Sequence, residues 1–126
     1  MVRQPRETLD EILLRTSVVM FPNGSPSAIS VGTRDPDGDT PLHKVALWGD
    51  NHAAKVLIDA GADIDARGDM GLTPLHFAVM QGHELLVETL LGYGARTDIC
   101  SEFGTTAREL AQVSSKSKLL LQFFSP

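Results

Sequence analysis

The sequence has a single cysteine, Cys100, among its 126 residues. One thiol allows no intramolecular disulfide and no metal site built on two cysteines. The start of the chain has no uninterrupted apolar run of the kind found in signal peptides, and no later stretch approaches the roughly 20 apolar residues of a membrane span. We therefore expect a reducing, intracellular setting, with a cytoplasmic location and no membrane partner.

An excess of basic residues is also missing. The chain carries 11 Lys and Arg against 16 Asp and Glu, a formal net charge of −5. This balance argues against DNA or RNA as the main ligand, because proteins bind those polyanions largely through basic groups. A protein partner with a basic surface fits better. The length is that of one domain with a single core.

Motifs for catalysis or metal binding are absent as well. The sequence contains no HExxH, no paired CxxC and no acidic calcium loop, and no serine stands in a nucleophile elbow. The glycines of "GYGA", residues 92–95, follow a helical segment and precede no GK[ST]. We therefore expect a protein that is not an enzyme and that binds no cofactor and no metal.

The sequence does contain a repeat of 33 residues. "GDTPLHKVALWGD" at residues 38–50 is followed by "GLTPLHFAVMQGH" at residues 71–83. Aligning residues 35–67 with residues 68–100 gives 10 identities in 33 positions, and a partial third copy begins at Ser101. A unit that is built repeatedly indicates packing, whereas a reactive centre is usually built once. The identities include Thr40/Thr73, Pro41/Pro74, His43/His76, Gly49/Gly82 and Gly61/Gly94.

The period of 33 residues and the "TPLH" motif resemble the ankyrin repeat. The resemblance covers residues 35–126 and implies an all-α fold, a solenoid of helix-turn-helix units with short hairpin loops. We divide the one domain into an N-terminal capping helix and linker (1–34), repeat 1 (35–67), repeat 2 (68–100) and a C-terminal capping repeat (101–126).

Local chemistry predicts where the helices of each repeat begin and end. Thr is a good N-cap and Pro suits a first helical turn, so Thr40-Pro41 and Thr73-Pro74 each open helix A. Gly49 and Gly82 suit a left-handed residue after helix A, and Gly61 and Gly94 follow helix B. Helix B carries apolar pairs that neighbouring copies must cover. The pairs are Ala53/Ala54 with Leu57/Ile58, Leu86/Val87 with Leu90/Leu91, and Leu119/Leu120 with Phe123/Phe124.

The two ends of the chain depart from the repeat. In the third copy Ala107, Glu109 and Ser115 replace the Pro, the His and the second Gly, as expected of a terminal cap. At the start, "TLDEILLR", residues 8–15, has a Thr N-cap and helical apolar spacing, and predicts a helix over the open end of the stack. "VVMF" and "SAISVG" flank "PNGSP" and are either two short strands about a turn or an ordered linker.

His43 and His76 are the candidates for a catalytic or metal site. They occupy the same position in successive copies, so each stands at its own helix start, a repeat apart along the stack. In the ankyrin repeats that the chain resembles, this imidazole is buried and hydrogen-bonds a neighbouring loop. We expect that role here, since His52 and His83 lie at other repeat positions and do not complete a ligand set.

The resemblance also implies where a partner would bind. In ankyrin-repeat proteins, contacts concentrate on the hairpin tips and on the exposed end of helix A, which together form the concave face. Carried over by position, and expected to face water, these residues are Pro36, Asp37, Asp39, Leu47 and Trp48 in repeat 1; Asp69, Met70, Leu72, Met80 and Gln81 in repeat 2; and Glu102, Phe103, Thr105, Val113 and Ser114 in the third copy.

This set predicts a protein-binding surface. Trp48 is the expected anchor of an apolar strip, and the carboxylates around it are expected to pair with Lys or Arg of the partner. The alternative for Trp48 and Phe103 is that they fold back over small local cores. We predict a monomer that occupies a protein partner with a basic surface, as an inhibitor or immunity-type protein masking a basic active site. A structural adaptor or homo-oligomeric scaffold subunit is the alternative.

Overall fold

The computed structural model describes residues 7–24, 29–113 and 122–124. Within these ranges the chain forms helices and turns but no strand, which confirms the predicted all-α class. None of the helices described there has the length and apolar character needed to cross a bilayer. The six α-helices are α1 (Leu9–Met20), α2 (Pro41–Trp48), α3 (Asn51–Asp59), α4 (Pro74–Gln81), α5 (Glu84–Gly92) and α6 (Ala107–Val113).

Helix α1 begins where the sequence predicts and runs further. The Thr8 hydroxyl accepts the Glu11 N–H at 3.3 Å, and Oε1 of Glu11 accepts the Thr8 N–H at 3.3 Å, which completes a capping box. The helix continues to Met20, so the strand interpretation of "VVMF" is wrong. The buried residues Ile12, Thr16 and Met20 explain the extension, because their spacing of four places them on one helical face.

The segment after α1 contains no strand in its described part. Residues 29–32 of "SAISVG" form coil and a turn, while residues 25–28 lie outside the described residues. Helix α1 itself packs against α2 and α3. Ile12 joins the same core as the repeats, so α1 covers one end of the stack.

Helices α2 and α4 begin at Pro41 and Pro74, as predicted, after the N-caps Thr40 and Thr73. Both end at a left-handed glycine: φ is 74° at Gly49 and 73° at Gly82. This conformation costs a residue with a Cβ roughly 1–2 kcal/mol. A Cβ at Gly49 would also lie 2.6 Å from Nδ1 of His83. The helix ends are therefore specified both by backbone strain and by close packing.

The core runs through the copies as one cluster. Helices α2, α4 and α6 lie side by side in that order, and α3 packs against α5. The helix-B residues predicted to be covered by neighbouring copies are buried or packed against this core in α3 and α5. Leu57 and Leu90, at equivalent positions, are fully buried. Stacking of the copies therefore builds the interior.

The third copy keeps the helix start without its proline and histidine. Oε1 of Glu109 accepts the Thr106 N–H at 3.2 Å, and the Thr106 hydroxyl accepts the Glu109 N–H at 3.1 Å. Glu109 thereby replaces the capping function of the histidine in a copy that is last in the stack. The predicted turn at Ser115 and the pair Leu119/Leu120 lie outside the described residues, and Phe123 and Phe124 are partly buried against the core.

Candidate partner-binding face

The histidines of the TPLH motif are buried hydrogen-bonding groups, as predicted. Nδ1 of His43 accepts the Thr40 N–H at 3.0 Å, and Nε2 lies 3.0 Å from the Leu72 carbonyl oxygen in the next copy. His76 repeats the arrangement, with Nε2 2.9 Å from the Thr105 carbonyl oxygen. Because Nδ1 accepts a backbone N–H, the proton of the neutral ring is on Nε2 and is donated to the carbonyl. Each ring ties one helix start to the following hairpin.

Burial lowers the pKa of both His43 and His76 below the ordinary value for histidine. The cause is that a protonated ring at either position would be a charge removed from water. Phe77 packs edge-on against His43, with ring centroids 5.7 Å apart. In the part of the chain that the structure describes, no three His, Cys, Asp or Glu side chains are grouped to hold a metal ion. The two rings are part of the architecture.

Three hairpin turns present the tips of the concave face. Each turn is closed by a glycine with positive φ, at Gly38, Gly71 and Gly104. In each, a backbone N–H donates to the carbonyl four residues further on, which sets the same tip geometry in every copy. These bonds run from Asp35 to Asp39 at 2.9 Å, from Gly68 to Leu72 at 2.8 Å, and from Ser101 to Thr105 at 2.9 Å.

Asp39 is buried at 5% exposure, so the expectation that it faces water is wrong. Its Oδ1 accepts the Asp69 N–H at 2.8 Å, and its Oδ2 lies 3.4 Å from Nζ of Lys44. Oδ2 of Asp35 lies 3.1 Å from the same Nζ. Burial alone lowers the pKa of Lys44, but the two carboxylates outweigh it and the pKa is raised. The carboxylate of Asp39 is thus engaged inside the chain, where it joins the first hairpin to the second.

Leu72 is also buried at 5% exposure, and the expectation that it belongs to the exposed strip is wrong as well. It occupies the position of Asp39 in repeat 2. The neighbouring positions change with it, since Gly68 and Phe77 stand where repeat 1 has Asp35 and Lys44. An apolar side chain with no cation beside it is more stable when removed from water.

The ends of the helix-A segments carry exposed apolar side chains, as predicted. Leu47 and Met80 are exposed at equivalent positions of α2 and α4, and Val113 is exposed at the same position of α6. We call these three residues the apolar row. Beside the row, Trp48 is 38% exposed and Gln81 is half-buried, while Ser114 lies outside the described residues.

The hairpin tips form a second line of exposed side chains. Met70 is exposed, and Phe103 is the most exposed aromatic of the face at 75%, so it does not fold back over a local core. Asp37 and Glu102 are exposed, and Asp69 is half-buried. The concave face of the folded chain is therefore the apolar row and Trp48 on one side, and these tip residues on the other.

A cation from α1 covers part of Trp48. Cζ of Arg15 lies 5.1 Å from the centroid of the indole, a cation–π contact. The Glu7 carboxylate holds Nε and Nη2 of Arg15 at 2.7 and 2.8 Å, and Nη2 also contacts Asp50. The sequence analysis missed Arg15, because α1 does not match the repeat and no register places it beside α2. Trp48 is thus partly covered and held in one orientation.

The charge of the concave face is moderately acidic. Asp37, Asp69 and Glu102 contribute one carboxylate to each hairpin tip. Arg34 and Arg67 are exposed just before the first two hairpins, and Nη1 of Arg34 donates to the Gly38 and Arg67 carbonyl oxygens at 2.7 and 2.8 Å. With Asp39 paired internally, three carboxylates remain opposite two guanidinium groups. The acidic rim is weaker than the sequence alone predicts.

The stacked hairpins and helix pairs match a known family. The family model described as "Ankyrin repeats (3 copies)" matches residues 11–102, from within α1 to the third hairpin. The chain belongs to the ankyrin-repeat family. Ankyrin repeats are generally protein-protein interaction modules and are typically non-enzymatic. The search of curated proteins found no match to the chain.

Proposed function

We propose that this ankyrin-repeat chain binds a protein partner through its concave face. The observation that carries the proposal is the exposed apolar surface at positions where a face turned only to water is usually polar. Leu47, Trp48 and Met80 supply it at the helix ends, and Met70 and Phe103 supply it at the tips. Grouped apolar side chains of this kind mark interaction sites on soluble proteins, and Trp and Met are favoured contact residues.

Trp48 is the anchor of this face. The guanidinium group of Arg15 lies over its ring, and that guanidinium is itself held by Glu7 and Asp50. An indole fixed in this way loses little side-chain freedom when a partner covers it. Immobilising a free side chain at an interface costs roughly 0.5–1.5 kcal/mol, so the contact with α1 favours binding by preorganising the ring.

The partner in this proposal presents Lys or Arg, and the chain acts as an inhibitor or immunity-type protein that masks a basic active site. The exposed carboxylates of Asp37 and Glu102, with Asp69 between them, support it. Such charges mainly steer encounter and fix register. Because Arg34 and Arg67 lie in the same hairpins, we expect added salt to slow association without abolishing binding.

Affinity capture from host lysate tests the face, with wild type compared with a Trp48→Ala, Met80→Ala double variant. A Leu85→Ala, Tyr93→Ala double variant is the matched control, because both residues are exposed apolar side chains outside the concave face. All three proteins must first show equal thermal unfolding. We expect the first variant to lose the partner and the control to keep it. Capture by the first variant at the wild-type level would place the site elsewhere.

Masking is tested separately from binding. If the captured partner is an enzyme, its activity is measured with increasing wild-type chain, and the association rate is measured at two salt concentrations. We expect activity to fall to the background as the partner becomes saturated, and association to slow with salt. Full activity at saturation would leave protein binding in place and refute the inhibitor role.

A structural adaptor or homo-oligomeric subunit is the second candidate, favoured by a separate feature of α1. Leu14, Val18 and Val19 are exposed, at the helical spacing that places them on one side of α1. Two chains could meet through this stripe. Light scattering at two concentrations distinguishes the candidates: a constant monomer mass supports a free binding module, and a mass that rises with concentration supports self-association.

A further inference from the structure

We infer that the occupant of the concave face is an α-helical segment of the partner, with apolar residues seven positions apart and basic residues along one flank. The inference rests on the proposed function and adds the shape and chemistry of what is bound. It follows from the spacing of the apolar row, from the second line of side chains beside it, and from the position of the carboxylates.

The apolar row has a fixed period because the repeat has one. Leu47, Met80 and Val113 are the same helix position in three successive copies, and all three are exposed. They stand on α2, α4 and α6, which pack side by side. Neighbouring packed helices lie roughly 8–10 Å apart, so the side chains of the row recur at about that distance.

An α-helix matches this period. Seven helical residues rise about 10.5 Å, and a tilt of about 20° to the row shortens the projected repeat to about 10 Å. An extended strand does not match, because its residues on one face recur at about 6.7 or 13 Å. A polyproline helix does match a single row, since three of its residues rise about 9.3 Å.

The second line of side chains favours the α-helix over the polyproline helix. Met70 and Phe103 lie at the hairpin tips, in a line that runs beside the apolar row from copy to copy. An occupant must therefore present apolar groups to two lines at once. An α-helix with its side chains is about 10 Å wide and has a broad apolar stripe, whereas a polyproline helix is thinner.

Charge then determines which way round the helix lies. The carboxylates of Asp37, Asp69 and Glu102 are all on the hairpin side of the apolar row, one in each copy. On the other side of the row stand Trp48 and the neutral Gln81. A bound helix is complementary to this arrangement when its Lys and Arg residues face the hairpins and its remaining flank is uncharged.

Synthetic helical peptides of about 20 residues, long enough to span three heptads, test the inference. The first has Leu at every seventh position and Lys along one flank; the second has the same composition with Leu at every fifth; the third replaces Lys by Glu. A fourth is Pro-rich with Leu at every third position. Binding to the full chain is measured by fluorescence anisotropy. We expect the first peptide to bind at least about tenfold more tightly than the others.

Variants of the chain show whether the peptide occupies the apolar row. Met80→Lys should weaken binding of the first peptide by about tenfold, while Leu85→Lys, an exposed apolar position on α5, should leave it unchanged. Equal binding of the every-fifth or Pro-rich peptide, no binding of the first, or equal effects of the two variants would overturn the inference. The capture experiment keeps the two proposals separate: if it succeeds while the heptad peptide fails, only the helical occupant is wrong.

Discussion

The hairpins of repeats 1 and 2 share a backbone path but differ in the side chains that hold it. In repeat 1, Oδ1 of Asp35 accepts the N–H groups of Asp37 and Asp39 at 3.0 and 2.9 Å. Repeat 2 has Gly68 in place of Asp35, and there Met70 takes a left-handed conformation with φ 55°. The same turn is therefore held by a carboxylate in one copy and by an unfavourable backbone angle in the next.

The bond from each hairpin to the following copy shows the same exchange. Oδ1 of Asp39 accepts the Asp69 N–H at 2.8 Å. One repeat later, Leu72 offers no such acceptor, and the equivalent N–H of Glu102 donates to the Met70 carbonyl oxygen at 2.9 Å. The hydrogen bond between copies is kept while its acceptor moves from side chain to main chain. A buried N–H needs a partner, and either source satisfies it.

Three positions change together between the two repeats. Repeat 1 has Asp35, Asp39 and Lys44, which form the buried ion cluster, and repeat 2 has Gly68, Leu72 and Phe77. Removing one member of such a cluster leaves a buried charge without its partner, which is costly, whereas replacing the whole cluster is not. The two hairpins are thus alternative complete solutions.

The largest expected effect comes from mixing the two solutions. Asp39→Leu leaves the Asp69 N–H without its acceptor and should lower the free energy of unfolding by about 3 kcal/mol. The triple variant Asp35→Gly, Asp39→Leu, Lys44→Phe should recover at least half of that loss, because it removes the cluster as a set. Urea denaturation measures both. A triple variant that is less stable than Asp39→Leu would show that the cluster is not a unit.

A smaller loss is expected where repeat 2 approaches repeat 1. A Cβ on Gly68 would lie 2.2 Å from Oδ1 of Asp39 and 2.9 Å from Nε2 of His43, so Gly68→Ala should cost about 2 kcal/mol. Gly32→Ala is the control, since a Cβ there meets nothing within 4 Å. Equal unfolding midpoints for the two variants would contradict close packing between the hairpins.

The histidines make stability depend on pH. Burial lowers the pKa of His43 and His76 in the folded chain, so the unfolded chain takes up their protons first as pH falls. Stability is then complete above about pH 6.5 and decreases below it, by at most about 1.4 kcal/mol per pH unit for each ring. Urea unfolding between pH 7.5 and 5.5 measures the slope. His76→Gln should reduce it by about half, and an unchanged slope would assign the pH dependence to other groups.

The smallest effect concerns the turn itself. Met70→Gly should stabilise repeat 2 by about 0.5 kcal/mol, because relief of the left-handed strain slightly exceeds the added freedom of glycine in the unfolded chain. Asp37→Gly, at the equivalent position with ordinary φ, should be destabilising. Thermal unfolding of the two variants compares them, and shifts of the same sign would contradict the difference between the turns.

Much of the fold could be predicted from the period of 33 residues. The starts of α2 and α4, the left-handed glycines and the buried histidines all follow from residue types that have the same local role in each copy. Exposure of Asp39 and Leu72 could not be predicted in this way. Whether such a side chain turns inward depends on the residue beside it in space, Lys44 in one copy and Phe77 in the other.

The N-terminal part shows the same limit. The capping residues of α1 were readable, but its length was not, because Val18 and Val19 suit a strand as well as a helix. The contact of Arg15 with Trp48 joins a segment outside the repeat to one inside it, and no sequence period relates the two. The positions of the concave face were thus predictable, while the contacts that orient its side chains were not.

Binding through the concave face is tested most directly by the fluorescence of Trp48, the only tryptophan in the chain. The emission and its quenching by acrylamide are followed while the captured partner, or a tryptophan-free fragment of it, is titrated in. We expect a shift of the emission to shorter wavelength and protection from the quencher at saturation, because the partner covers the indole. Saturating binding with unchanged emission and quenching would show that Trp48 stays in water and that the partner binds elsewhere.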